Sequence, residues 1–482
     1  MHAPGGAYGL VAAVLILLLL LGLPLRAKVI AYIAALTLIG FVKIRLPDTS
    51  VQVLPNVIAL MTFGHLALKT LTQRLILPIR SRLTIGVAFF GLAAAVQSFN
   101  PILSAVGLSP TEGGVYVLPL LMFAVGVWLF SSPSNGRLLL QTVLVLAVIA
   151  SAVMLEQLVF GFSAADRAYF ALAGHRVLAE HKLIGTYGGP DSYAFASAFF
   201  TLAALSARAC GVWPRLSLLV AALGVLGTIT SGVRAALLGL LLAAVVSLAL
   251  KLRDPHQRMF AVRSLAVGSV LALAIGALVI ASPAKDRNET ITAHNGLQSA
   301  IRRLALLKQG AQDPDVTNRL ARMREFDAFI VQHPFGAGPG IVKVRTALAP
   351  GGQVGLLGSP PVGLPAYLRP TFLYQHDYEY VSMGAELGLA PLVLFFLLML
   401  VGGREAVVLR ARTRDPVLRS LLSLTAGTII LVLTMMITNE SFRGPQVAGI
   451  FWLLLAVPVA VRHPMVAAEP DASTGQARIA LT

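Results

Sequence analysis

Four short polar patches break an otherwise apolar chain with side chains that can bind anions or move protons. The first is Gly185-Thr186-Tyr187-Gly188-Gly189-Pro190-Asp191. It reads as a tight turn into a helix that starts near Pro190, and its glycines also let a ligand approach the backbone closely. The second is Thr230-Ser231-Gly232-Val233-Arg234, between two apolar runs. Arg234 either snorkels into headgroups or grips a lipid-borne phosphate with its bidentate fork. The third is Arg319-x-x-Arg322, one turn apart at the start of a helical period carried by Leu320, Met323, Phe326 and Ile330. A helix N-terminus adds its own attraction for anions there. His333-Pro334-Phe335-Gly336-Ala337-Gly338-Pro339-Gly340 stops that helix. These glycines follow a helix instead of opening one, and no Gly-Lys-Ser/Thr accompanies them, which rejects a nucleotide P-loop. The fourth is Tyr374-Gln375-His376-Asp377-Tyr378-Glu379, with Glu386-Leu387-Gly388 after it. A neutral His376 can accept a hydroxyl proton, with Asp377 or Glu379 to orient it. Glu386 lies at the mouth of an apolar run, where a carboxylate must be paired or face a wet cavity.

The elements that position these patches follow from composition. The 482 residues are 57% hydrophobic and 12% charged, with mean hydropathy +0.80. An average soluble domain is about 25% charged. That contrast excludes a globular cytosolic enzyme, a disordered chain and a secreted disulfide scaffold, and makes the chain a polytopic membrane protein. Apolar runs bounded by charge, Gly and Pro predict 13 spans, near 8–25, 29–42, 51–68, 83–98, 114–131, 138–160, 192–209, 215–231, 235–250, 264–282, 386–402, 418–438 and 445–461. Met1–Leu10 holds no Lys or Arg, so the first run is expected to be an anchor and not a signal peptide. The expected fold is all-α and polytopic, with about 12–13 transmembrane helices and one large extracytoplasmic, mainly helical loop. It divides into an N-terminal transmembrane bundle over 1–282, a loop subdomain over 283–385, C-terminal transmembrane helices over 386–461 and a cytoplasmic tail over 462–482.

Charge then orients the spans. Lys69–Arg82, Lys251–Arg263 and Arg404–Arg419 carry 4, 4 and 5 Lys/Arg and fall on one face, which the positive-inside rule makes cytoplasmic. All four polar patches fall on the other face. Segment 283–385 carries 11 Lys/Arg there, and long outer loops escape that rule. These charges are either a solvated helical face or an anion site beside the membrane. The net charge of +17 therefore needs no nucleic acid to explain it. Cys210 is the only cysteine, so neither an internal disulfide nor a cysteine metal cluster is possible.

Taken together and in this order, the patches resemble the O-antigen ligase/polymerase superfamily. The resemblance runs through Gly185–Asp191, the Ser-x-x-Arg turn at Ser231–Arg234, the Arg319 helix ending in Pro334-Phe335-Gly336-x-Gly338-x-Gly340, and His376-Asp377-x-Glu379-Tyr380 with Glu386-x-Gly388. It covers roughly residues 140–460; the preceding spans resemble the family in hydropathy alone. One departure is clear, since the family usually has His-Asn where this chain has His376-Asp377. The acidic neighbour either strengthens the base or marks a different recognition of the acceptor.

The resemblance implies a glycosyltransferase of the bacterial inner membrane with its active site on the periplasmic face. The donor would be a glycan on undecaprenyl diphosphate. The acceptor would be a sugar hydroxyl of a lipid A core (ligase) or of another repeat unit (polymerase). Transfer would invert the anomeric centre and use neither metal nor cofactor. His376 is expected to be the general base, and Arg234 and Arg319 to stabilise the diphosphate. Arg322, Asp377, Tyr187, Tyr378 and Glu386 are expected to bind substrate. Asp313-Pro314-Asp315 is the one Asp-x-Asp, on the wrong face for a nucleotide sugar and its metal. The rival class is a transporter or flippase of lipid-linked glycans, which calls for ionisable residues at span centres or paired broken helices. His65 and Glu156 are among the few such residues in or near the runs.

Overall fold

The computed structural model describes residues 21–46, 53–73, 81–101, 113–172, 182–252, 330–331, 334–339, 379–437, 442 and 444–463. The fold is 85% helical without a strand, counted over those residues. The helices are α1 (Leu25–Arg45), α2 (Leu54–Gln73), α3 (Arg82–Gln97), α4 (Gly114–Leu129), α5 (Pro133–Phe160), α6 (Ala164–Leu172), α7 (Pro190–Ala209), α8 (Pro214–Thr230), α9 (Arg234–Leu252), α10 (Glu379–Leu387), α11 (Leu389–Arg412), α12 (Pro416–Met436), α13 (Pro445–Leu455) and α14 (Val457–Arg462). Six are long and apolar enough to cross a membrane: α1, α2, α5, α11, α12 and the α13–α14 pair. Four shorter apolar helices, α3, α4, α8 and α9, accompany them. The protein is an all-α polytopic membrane protein. The expected span at 264–282 and residues 8–20 of the expected span at 8–25 lie outside the described residues.

Proline sets many of the starts. Pro133, Pro190, Pro214, Pro416 and Pro445 occupy the first turn of α5, α7, α8, α12 and α13, where the missing N–H costs nothing. Asp415 caps α12 by accepting from the N–H groups of Val417 and Leu418, both at 2.9 Å. The expected span 29–42 extends to 25–45 because Arg26, Lys28, Lys43 and Arg45 remain in the helix at its two ends.

α7 is the centre of the bundle. It packs on α5, α8, α9, α12 and α13, and nearly every side chain from Tyr193 to Ala207 is buried. Its Ala, Ser and Thr residues suit close approach of neighbours, as in membrane helix interfaces generally. A helix enclosed by protein on all sides needs no lipid-facing apolar stripe. Its modest hydropathy, with Ser192, Ser197, Thr201 and Ser206 along its length, follows from that position. On the other flank Phe90, Phe395, Phe442, Phe451 and Trp452 interlock with ring centroids 4.9–6.2 Å apart, tying α3 and α11 to α13.

The helices alternate in direction, which brings the described polar patches to one end. α11 and α12 are joined by the turn 413–415. Arg410 near the end of α11 donates to the carbonyl of Leu250 near the end of α9 at 3.0 Å. The starts of α9 and α11 therefore lie together at the other end. The Gly185–Asp191 turn and the start of α7 lie there too, because Leu183 N–H donates to the carbonyl of Thr230 at the end of α8.

Candidate functional site

Two backbone clasps shape that end of the bundle. The first holds residues 182–189. Gln157, buried in the last turns of α5, accepts from Ile184 N–H at 3.2 Å and Gly185 N–H at 3.0 Å through Oε1. Its amide nitrogen returns a long bond to the Gly185 carbonyl at 3.5 Å. Phe41 N–H of α1 donates to the Thr186 carbonyl at 2.8 Å. The turn can lie on α1 because position 40 is a glycine: a Cβ there would collide with the backbone of Tyr187 and Gly188. Tyr187 is fully buried beside Tyr193, ring centroids 6.2 Å apart. Its hydroxyl points towards Thr37 without reaching hydrogen-bond geometry, and the Thr37 hydroxyl is committed to Ile33 at 2.9 Å. Burial pushes the Tyr187 phenol above its usual range. The ring thus supports the turn from beneath, while Gly188, Gly189, Pro190 and Asp191 remain partly open.

The Leu183–Thr230 bond links this clasp to the second patch. Ser231 is buried, donates to the Thr228 carbonyl at 2.7 Å and accepts from Val233 N–H at 3.3 Å. It thereby fixes a three-residue break, 231–233, between α8 and α9. Arg234 is the first residue of α9 and is half-buried. A guanidinium at that point stands at the rim of the bundle on a rigid support.

The second clasp joins 334–339 to the α10–α11 junction. Ala337 N–H donates to the Ala385 carbonyl at 2.8 Å, Gly338 N–H to the Glu386 carbonyl at 2.9 Å, and Leu389 N–H to the Pro334 carbonyl at 2.8 Å. Gln97 at the end of α3 donates its amide to the Phe335 carbonyl, and Asn100 donates to the Gly336 carbonyl at 3.4 Å. Gly388 breaks the helix with φ 94° and ψ 173°. The expected span 386–402 is thus split: Glu386 and Leu387 end α10, and the long helix begins at Leu389. Glu386 is 1% exposed, and its Oε2 accepts from the Tyr116 hydroxyl at 2.8 Å. Here a buried carboxylate has a donor, as a charge out of water requires.

Among the expected site residues, Tyr187, Arg234 and Glu386 are described and share one end of the bundle. Arg319, Arg322, His376, Asp377 and Tyr378 lie outside the described residues, as does Asp313-Pro314-Asp315. In sequence, His376 stands three residues before Glu379, the first residue of α10. Sequence reasoning missed Gln157, Tyr116, Gln97 and Asn100. Gln157 and Gln97 carried a usable signal, a polar amide in an apolar helix; Tyr116 carried none.

The O-Antigen ligase family matches residues 219–396. That stretch runs from α8 through the Arg234 turn and the second clasp into α11, and leaves out the Gly185–Asp191 turn. No curated protein matches the chain significantly.

Proposed function

The chain belongs to the O-antigen ligase/polymerase superfamily, and from that premise we propose an inverting, metal-independent transfer of a glycan from undecaprenyl diphosphate to an acceptor hydroxyl. Family membership carries glycan transfer of the ligase or polymerase type, with a lipid-linked glycan and an acceptor as partners. The setting we propose is the periplasmic face of a bacterial inner membrane. The observation that carries the finer reading is the rigid rim position of Arg234, at the same end as the clasp that seats Glu386.

The chemistry follows from the leaving group. Diphosphate leaves with the electron pair of the bond between the anomeric carbon and its oxygen, so negative charge grows on the phosphate oxygens. Guanidinium groups of Arg234 and Arg319 stabilise that charge, with Arg322 in support. His376 takes the acceptor proton as the new bond from oxygen to the anomeric carbon forms on the opposite side, which inverts the centre. Asp377 orients the imidazole, and Tyr378 and Glu386 line the acceptor side. Tyr187 serves by supporting the turn whose open glycines face the donor.

Defined lipid-linked repeat units supplied to vesicles carrying the purified protein test this. Product growing in repeat number identifies a polymerase, and label passing only to lipid A core identifies a ligase. His376→Ala is expected to abolish transfer while the protein stays folded, and transfer is expected to survive a chelator. Full activity of the variant removes the base, and chelator loss reversed by magnesium or manganese revives Asp313 and Asp315 as metal ligands. A flippase remains the rival. Transporters use paired breaks near the midplane, whereas the α10–α11 break and Glu386 lie at the bundle end.

A further inference from the structure

A second polar site lies at the opposite end of the bundle. The N-terminal part of α1, the C-terminal part of α2 and the end of α4 enclose a groove of about 620 Å³. Arg26, His65, Lys69 and Trp128 line it. Gly40, where α1 meets the first clasp, is 14 residues from Arg26, about 21 Å of helix at 1.5 Å per residue. The groove therefore has no part in the transfer site. α14 packs on α4 at this end, and Arg462 of α14 pairs with Glu405 at 3.5 Å. This is the Arg404–Arg419 face, cytoplasmic by the positive-inside rule.

The groove gathers cations without a described counter-charge. Lys28 is 2% exposed, and among the described residues its Nζ meets His65 Nδ1 at 2.8 Å and the Leu21 carbonyl at 3.4 Å. A charged Lys28 forces Nδ1 to accept, which leaves His65 Nε2–H as a donor. Lys69 lies over the Trp128 ring, 5.3 Å from its centroid, a cation on an interfacial aromatic. Among the described residues no Asp or Glu lines the groove. Orientation by charge asks only for exposed lysines and arginines in loops. It does not ask for a buried ammonium behind a cavity.

The groove's outer wall shows what carries the anion. Leu60, Leu68 and Leu71 of α2 are 56%, 62% and 79% exposed. They share one helix face at steps that also pass Gly64, and Leu68 itself borders the groove. An apolar strip leading to a cationic pocket matches one amphiphile, with acyl chains along α2 and a phosphate on Arg26, His65 and Lys69. We propose that this groove binds the phosphate headgroup of an anionic glycerophospholipid of the cytoplasmic leaflet. Basic pockets between membrane helices on that side suit such headgroups.

The test uses the full chain in nanodiscs of phosphatidylcholine and phosphatidylglycerol. The protein is moved to neutral detergent and its retained lipid measured by mass spectrometry. Phosphatidylglycerol is expected to be enriched on the wild type. Arg26→Gln and Lys69→Gln should each lower that enrichment about fivefold, and the double variant about 25-fold. Arg404→Gln, an exposed charge on the same face outside the groove, should change it little. Lys28→Met is read only if it elutes as the folded protein; the two surface variants decide the matter without it. Equal retention of phosphatidylcholine, unchanged enrichment in the double variant, or an equal fall in Arg404→Gln overturns the proposal. Thermal protection by inorganic phosphate alone, as large as that by phosphatidylglycerol, overturns the lipid assignment and leaves a bare anion pocket.

Discussion

Replacing Gly388 with alanine should open the second clasp without unfolding the bundle. At φ 94° and ψ 173° the residue occupies backbone space that is essentially glycine's alone, costing any other residue roughly 1–3 kcal/mol. The new Cβ would also lie 2.6 Å from the Phe335 carbonyl carbon and the Pro334 oxygen. Overpacking of that kind costs about 1–3 kcal/mol more. Of the total of about 2–6 kcal/mol, the overpacking part of about 1–3 kcal/mol is relieved by displacing 334–339, and it is comparable to the three backbone hydrogen bonds that hold the segment in place, together about 1.5–4.5 kcal/mol. Moving the segment away relieves the clash at comparable or lower cost than melting the helices, so the clasp gives first. The assay is amide hydrogen exchange on the full protein, reading Ala337, Gly338 and Leu389, beside glycan transfer. The three amides should exchange at least about tenfold faster and transfer should fall, while α7 and α12 stay protected. Wild-type protection at all three amides would refute the reasoning, because the collision would then have been absorbed elsewhere.

Gln157→Leu should loosen the first clasp. It orphans the buried N–H groups of Ile184 and Gly185 at about 1–3 kcal/mol each, read as a lower melting temperature and faster proteolysis at 182–189. Tyr116→Phe removes the donor to the Glu386 carboxylate; a loss of about 1–3 kcal/mol is expected, and Glu386→Gln in the same chain should recover part of it in thermal melts. Arg234→Lys should leave the fold intact yet lower the transfer rate, because a single ammonium loses the bidentate grip on phosphate; unchanged kcat would remove the guanidinium from the donor site. Cys210, raised above the ordinary thiol range chiefly by burial, should alkylate slowly at neutral pH and faster as pH rises. Since alternation places it opposite the Arg234 turn, a membrane-impermeant reagent should reach it only from the cytoplasmic side.

What the sequence made legible was length and hydropathy. An apolar run bounded by charge or proline can do little in a bilayer except form a helix, because every backbone group must be paired within the segment. The runs behind α5, α11 and α12 therefore announced themselves. α7 was legible as a helix but not as the central one, since burial by protein relaxes the hydropathy that lipid would demand. The split at Gly388 was hidden because Glu386-Leu387-Gly388 joins smoothly to the apolar stretch after it, and only the backbone angle at Gly388 reveals the break.

The candidate site divides along the same line. The polar patches were visible because Arg, His and Glu are costly beside a bilayer and so conspicuous. Their supports were not, because each support is a contact between distant parts of the chain. Gln97 and Phe335 stand 238 residues apart, and Tyr116 and Glu386 stand 270 apart. No periodicity spans such gaps. The supports share one design: a polar side chain near a helix end holds the backbone of a glycine-bearing turn, as Gln157 does for Gly185 and Gln97 with Asn100 for Phe335 and Gly336. A turn held by its backbone stays the same shape whichever side chains it presents. Under the proposed roles, such a scaffold would let a residue on the acceptor side, Asp377 in that proposal, vary without moving the guanidinium at Arg234. Asp377→Asn should therefore change which acceptor is used while leaving binding of the lipid-linked donor intact. Equal loss of donor binding in that variant would mean that donor and acceptor sides are not separately built.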